Sequence, residues 1–427
     1  MTNDRRVALV AGCRTPFVKA GTAFRDVLPV DLATAAVREL IERSDVDPAL
    51  IGSVALGQVL PTFDVLNVAR EVVIRTGLPR SIPAHTVNRA CASAAEAIAQ
   101  VAMGIGLGHF DAGIAGGVES LSSVVPTFSR PLAKTLQAAA RSRSVWAKAR
   151  ALAAVRPRHL APQLPAIAEP STGLTMGESG EKMARENGIS RLEQDELALA
   201  SHRNAAAAAA DGRQREELCT VFVGPGREPV STDGHVRPDT SLEALARLPP
   251  VFDKEFGTVT AGNASPLTDG AAAVLLMSEE RARSEGHEPL AFIRSFAVGA
   301  VDPAWQALQG PAVAIPLALD RAGVTLAQMG LVEMHEAFAA QVLSNIQALR
   351  SEEFAREHLG RSSVIGDVDR DRLNVSGGSI ALGHPFGATG ARIVLGLGRE
   401  MKRRGVELGL VSICAQGGMG FAMVLER

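Results

Sequence analysis

Short apolar runs alternate along this chain with longer alanine-rich, helix-like stretches. The runs read as buried strands, and their alternation with helices predicts an α/β architecture. RVALVAGCRTPF (6–17) reads as a strand entering a loop, DLATAAVRELIERS (31–44) as a helix opened by Asp31, and residues 51–59 as a second strand. A long helix is expected from Cys91 through ASAAEAIAQVAMGIG, with a further buried strand in FDAGIAGGVES.

The pattern then repeats. Val46, Ile51, Gly52 and Val54 lead into one strand, and Val324, Met329, Gly330 and Val332 stand at identical spacing before VEMHEAF. A weaker echo pairs AGIAGG near residue 115 with LGLVSICAQGG near residue 412. Two similar α/β halves are the simplest reading, with a site expected at the seam between them. Residues 121–249 break the pattern with two proline-rich patches and a run of six alanines, and VTAGNASPLTDGAAAVLLM resumes it. The expected organisation is a first half over 1–120, an inserted loop domain over 121–249, the end of the first half over 250–282 and a second half over 283–427.

Composition narrows the class. At 427 residues, 46% hydrophobic and 21% charged, the chain reads as globular and long enough for two or more buried cores. A net charge of -2 argues against a nucleic-acid binder. No apolar run is long enough to span a bilayer, and MTNDRRVALV lacks the hydrophobic centre of a signal peptide. A cytoplasmic protein is expected, at most peripheral to a membrane. Cys13, Cys91, Cys219 and Cys414 match no metal spacing and form no CxxC pair, so each is a small core residue or a reactive thiol.

The candidate chemistry sits where strands or loops give way to helices or glycines. Cys91, in NRACASAAEA, stands at the start of a helical run, where the positive end of the backbone dipole lowers a thiol's pKa; it is a nucleophile or a core cysteine among alanines. Cys414, in SICAQGGMG, precedes glycines small enough to let a ligand reach the backbone, with a core role as the alternative. His335, in VEMHEAFAAQ, is a helix cap or a catalyst. His384, in NVSGGSIALGHPFGATGAR, is fixed by its neighbours and surrounded by residues too small to shield it, as a general base should be; a glycine-rich turn with an incidental histidine is the alternative. GxxxxGK[ST], a GxGxxG after a strand, and HExxH are all missing, so nucleotide hydrolysis, hydride transfer and zinc chemistry lack their parts.

Taken together and in this order, these blocks resemble the thiolases, which cleave 3-ketoacyl-CoA with coenzyme A or condense two acyl-CoA molecules. NRACASAAEA resembles the family's nucleophile block, NVSGGSIALGHPFGATGAR its GHP block, SICAQGGMG its C-terminal cysteine block, and VTAGNASPLTDGAA the segment lining the coenzyme A site. The resemblance implies two βαβαβαββ halves packed together with an inserted loop domain. It implies an acyltransferase of fatty-acid β-oxidation with coenzyme A as co-substrate, no resident cofactor and no metal. Cys91 would be acylated, His384 would activate it, and Cys414, with a pKa near neutrality, would move the α-carbon proton. His335, His384 and backbone amides at Cys91 and around Gln416 would stabilise oxyanions, and Met176, Ser265 and Phe338 would contact coenzyme A. A homodimer or dimer of dimers is implied. A biosynthetic acetoacetyl-CoA thiolase and a non-catalytic scaffold subunit stay open as alternatives.

Some positions depart from the family pattern. His335 stands where most thiolases carry the asparagine of NEAF, Thr175 in TMGESGEKMA where they carry histidine, and Gln416 and Pro266 where they carry glycine. The HEAF form, GGSIALGHPFGATGAR and the long insertion look most like the β subunit of the fatty-acid oxidation trifunctional complex, which implies a hydratase/dehydrogenase partner subunit. From Ser120 to Ala168 there are eight Lys and Arg and no acid. That basic stretch is expected to hold coenzyme A phosphates, to dock a partner, to touch anionic lipid through residues 130–158, or simply to be solvated.

Overall fold

The computed structural model describes residues 5–161 and 168–427, so the start of MTNDRR and part of the expected insertion, 162–167, lie outside the described residues. Strands β1 (Val7–Arg14), β2 (Ile51–Gly57), β3 (Ala84–Val87), β4 (Ala112–Glu119), β5 (Thr268–Ser278), β6 (Ala291–Ala300), β7 (Leu331–Met334), β8 (Leu408–Ala415) and β9 (Met419–Glu426) lie side by side. Their order is β7-β8-β9-β6-β1-β5-β4-β2-β3, and Val18–Lys19, paired with β5, completes a ten-stranded sheet.

The sheet is symmetric about the antiparallel β1–β6 pair. Outward from β1 the pairings to β5, β4 and β2 run antiparallel, antiparallel and parallel. Outward from β6 the pairings to β9, β8 and β7 repeat that pattern. Both sequence echoes fall on equivalent strands: the first on β2 and β7, the second on β4 and β8.

Helices on both faces explain why the strands read as continuous apolar runs. Helix α1 (Pro29–Ser44) starts two residues before Asp31, because Pro29 presets the first helical φ; Asp31 sits in the first turn beside the dipole instead of capping. Helix α2 (Ser93–Gly106) starts two residues after Cys91, with Ala92 at its N-cap. The chain leaves the sheet after Glu119 and returns at Thr268, and in between form α3 (Arg130–Arg141), α4 (Val145–Leu152), α5 (Met176–Glu186) and α6 (Arg191–Ala210). Helices α7 (Gly310–Ala322), α8 (Ala339–Arg350) and α9 (Thr389–Arg404) belong to the second half.

Helices α2 and α9 share one buried core with strands of both halves. Helix α1 covers the other face of the first half, and α7 and α8 the other face of the second. The contact between α2 and α9 is backbone-close: a Cβ at Gly390 would stand 2.5 Å from the Ala95 nitrogen, so glycine lets the two helix heads meet. The excursion is pinned to β1 by fully buried Arg14, whose guanidinium donates to Glu217 at 2.7 Å and to both Asp233 carboxylate oxygens at 2.7 and 2.8 Å. Among the described residues no helix is long and apolar enough to cross a membrane.

Candidate active site

Because α2 and α9 meet head to head at the seam, the residues just before each are brought together. Cys91 leaves a turn in which Ala90 has φ 46°, a left-handed conformation costing on the order of 1 kcal/mol for a residue with a Cβ. Three hydrogen bonds hold that turn: Ser93 Oγ donates to the Ala90 carbonyl at 2.6 Å, the Arg89 N–H to Ser93 Oγ at 2.9 Å, and the Ala90 N–H to Asn88 Oδ1 at 2.9 Å. His384 precedes α9 in the same way. The Cys91 sulfur and a ring nitrogen from each of His335 and His384 lie within 4.8 Å of one another.

A cavity of about 120 Å³ opens over Cys91 and His384, with His335 behind its wall. Cys91, His384 and Cys414 line it with Met176, Ser265 and Phe338, while Leu60, Leu308 and Phe386 add apolar wall. His335 is fully buried, its ring centroid 4.0 Å from that of His384 and tilted by 46°. The segment around Ser265 is stitched along HEAF: the Ser265 N–H donates to the Ala337 carbonyl and the Ala339 N–H to the Asn263 carbonyl, both at 2.9 Å. Met176 opens α5, where Thr175 and Glu178 cap each other; threonine here has become a helix cap. The Gln416 side chain donates to the Ala168 carbonyl at 2.7 Å, and its backbone N–H faces the Cys91 sulfur.

The protonation pattern follows from burial and from counting hydrogens. His384 Nδ1 lies 2.6 Å from Thr389 Oγ1, and that hydroxyl donates its single proton to the Pro385 carbonyl at 3.1 Å. Thr389 can therefore only accept from the ring, which places the proton on Nδ1 and leaves a lone pair on Nε2, an atom with no other partner. Burial, with Arg392 adding to it, lowers the His384 pKa to about 3, so the imidazole rests neutral.

The thiols correct the expectation of lowered pKa values. Burial pushes Cys91 up to about 12, outweighing the backbone N–H groups of Cys91 and Gln416 that draw it down. Burial likewise holds Cys414 well above its ordinary value, not near neutrality. The resting site is a neutral thiol beside a neutral imidazole, with a second neutral thiol on the same cavity. Such a set can form a covalent thioester while a proton moves to Nε2, and can deliver another proton to a carbon released nearby.

Two supporting carboxyls escaped the sequence reading as functional residues. Glu336 accepts from Ser201 Oγ at 2.7 Å, the Ile380 N–H at 3.1 Å and Asn374 Nδ2 at 2.5 Å, tying the glycine block to the end of β7 and to α6. A Cβ at Gly378 would lie 2.0 Å from its carboxyl carbon, which is why the block has glycine there. Buried Glu119 accepts from the N–H groups of Val59, Leu60 and Gly387, and burial raises it to about 7. The signal for Glu336 was its place directly after His335; Glu119 had none. The basic stretch stands apart: no residue of α3 or α4 lines the cavity. Its basic side chains are exposed, none is ion-paired among the described residues, and Trp146 is 86% exposed beside them.

Comparison with known proteins gives the family. Residues 7–280 match the family model of the thiolase N-terminal domain and residues 287–427 that of the thiolase C-terminal domain. A 3-ketoacyl-CoA thiolase of Serratia proteamaculans is 50% identical over 422 residues, covering 99% of this chain and 97% of that protein. One from Aliivibrio fischeri is 49% identical, covering 99% and 95%. Among solved structures, a Bacillus anthracis acetyl-CoA acetyltransferase superposes with TM-score 0.84 at 35% identity, covering 99% of this chain and 98% of that one. Human mitochondrial 3-ketoacyl-CoA thiolase in complex with CoA superposes with TM-score 0.82 at 32% identity, with the same coverage. With both domain models matched across the sheet and the cavity, the chain belongs to the thiolase family.

Proposed function

We propose that the protein is a 3-ketoacyl-CoA thiolase that works in the degradative direction, cleaving 3-ketoacyl-CoA with coenzyme A through an acyl-Cys91 intermediate. The observation that carries this is the pairing of Cys91 with the free Nε2 of His384 in a cavity also lined by a second thiol, Cys414. The Cys91 sulfur adds to the 3-keto carbon as its proton passes to His384 Nε2. The C2–C3 bond breaks, its electron pair stays on C2 of the departing acetyl-CoA, and Cys414 protonates that carbon. The coenzyme A thiol returns a proton to Cys414, its sulfur takes the acyl group, and Cys91 leaves with the proton held on His384. Backbone N–H groups of Cys91 and Gln416, with the two histidines, are the donors for the developing oxyanions. Met176, Ser265 and Phe338 line the approach for coenzyme A.

Intact-mass spectrometry after brief exposure to acetyl-CoA tests the intermediate: wild type gains an acetyl group and Cys91→Ala does not. Cleavage of 3-ketoacyl-CoA substrates of graded length then tests the direction. A strong preference for acetoacetyl-CoA would favour the alternative of a biosynthetic acetoacetyl-CoA thiolase. A folded protein with neither adduct nor turnover would leave the scaffold role.

For partners, the reading extends to a homodimer core, a hydratase/dehydrogenase subunit, and contact of residues 130–158 with anionic lipid. Exposed Phe128, Leu136, Val145 and Trp146 among unpaired basic side chains support the lipid contact. Co-sedimentation with phosphatidylserine vesicles, lost in salt and on Trp146→Ala, is the expected result; equal binding to neutral vesicles would refute it.

A further inference from the structure

The histidine that replaces asparagine raises a question that asparagine does not. An amide always offers N–H donors, whereas a neutral imidazole offers one only on the nitrogen that carries its proton. His335 Nδ1 lies 2.8 Å from Ser379 Oγ. Its Nε2 is buried with no hydrogen-bond partner, and burial holds its pKa well below the ordinary value, so the ring is neutral. The tautomer is therefore decided at Ser379.

That hydroxyl has a second neighbour. Arg392 Nη2, on buried α9, donates to Ser379 Oγ at 2.9 Å. A guanidinium can only donate, so this contact uses a serine lone pair and turns the hydroxyl proton elsewhere. The group in reach to accept it is His335 Nδ1. Glu333 of β7 stands 3.7 Å from Arg392, and Ser379 is held by the backbone turn that Glu336 ties down through the Ile380 N–H.

We infer that Ser379, oriented by Arg392, is a positioning residue that makes His335 an Nε2–H donor, the tautomer opposite to that of His384. The two rings then divide the work by which proton each lacks: His384 presents a lone pair to the thiol, and His335 presents an N–H to developing negative charge, as the amide of NEAF would. Thr389 sets the first by accepting and Ser379 sets the second by donating. The inference about chemistry rests on the thiolase reading; the tautomers themselves do not.

Two measurements test it. The first is 15N NMR of histidine-labelled protein, with the two rings assigned through His335→Asn and His384→Asn. The expected spectrum has a protonated Nε2 and bare Nδ1 on His335, and the reverse on His384. The same tautomer on both rings, or Nδ1–H on His335, overturns the proposal. The second is a double-mutant comparison of the rate of acyl-Cys91 formation. Ser379→Ala should slow it about tenfold in the wild-type background and less than about twofold in a His335→Asn background, where no tautomer needs setting. Equal losses in both backgrounds would make Ser379 merely structural and overturn the role. If wild type forms no acyl-enzyme, the thiolase reading fails while the nitrogen shifts still decide the tautomers.

Discussion

A neutral resting pair at Cys91 and His384 makes a prediction about acid stability. His384 is 4% exposed, and its pKa in the folded protein is lowered to about 3, chiefly by burial. In the unfolded chain an imidazole titrates near about 6.5. Below that pH the unfolded state gains a proton that the folded state refuses, so stability falls as pH falls, and the loss levels off only near the folded value. From neutral pH to about pH 4.5 this one side chain should remove about 2.7 kcal/mol, two pH units at about 1.36 kcal/mol each. Urea unfolding followed by circular dichroism, at steps between about pH 7.5 and pH 4.5, would measure it on wild type and on His384→Asn. The variant is expected to be less stable at neutral pH, and its deficit should shrink toward pH 4.5 as wild type loses one proton's worth of slope that the variant does not. Parallel profiles would refute the reasoning. They would mean that His384 protonates inside the folded protein near its ordinary value, so that burial does not exclude the proton.

Three further outcomes are expected. Cys91→Ala should abolish the acyl adduct in intact-mass spectra while leaving the circular dichroism spectrum unchanged, since the change is confined to one side chain at the head of α2. Cys414→Ala should still form acetyl-Cys91 but lose on the order of 10²–10⁴ in the rate of carbon–carbon cleavage, the usual scale for removing a positioned acid, as measured by acetyl-CoA release. Gly378→Ala drives a methyl group into the Glu336 carboxyl, 2.0 Å away, and should lower unfolding free energy by about 1–3 kcal/mol in denaturant titration.

Much of this was readable in the chain before any fold was known. The alternation of apolar runs and alanine-rich stretches determined the α/β class, and the Val46/Val324 match determined that two halves share one plan. The four reactive residues stood out because each lies at a junction between a strand or loop and a helix or glycine cluster, which is local information. The helix starts moved by two residues at α1 and α2, since Pro29 sets the first φ and the Cys91 turn must close through Ser93. What only the tertiary structure decided was the state of each reactive group. The dipole at a helix head argued for lowered thiol pKa values; burial at the seam reversed the sign, because desolvating a thiolate outweighs two backbone N–H groups. Glu119 and Glu336 became supports only when strands and turns distant in sequence were brought to their oxygens. The direction of the proton on each histidine is the last such case. It depends on whether a neighbouring hydroxyl has somewhere else to donate, and that is settled by Pro385 for one ring and by Arg392 for the other, through contacts in three dimensions.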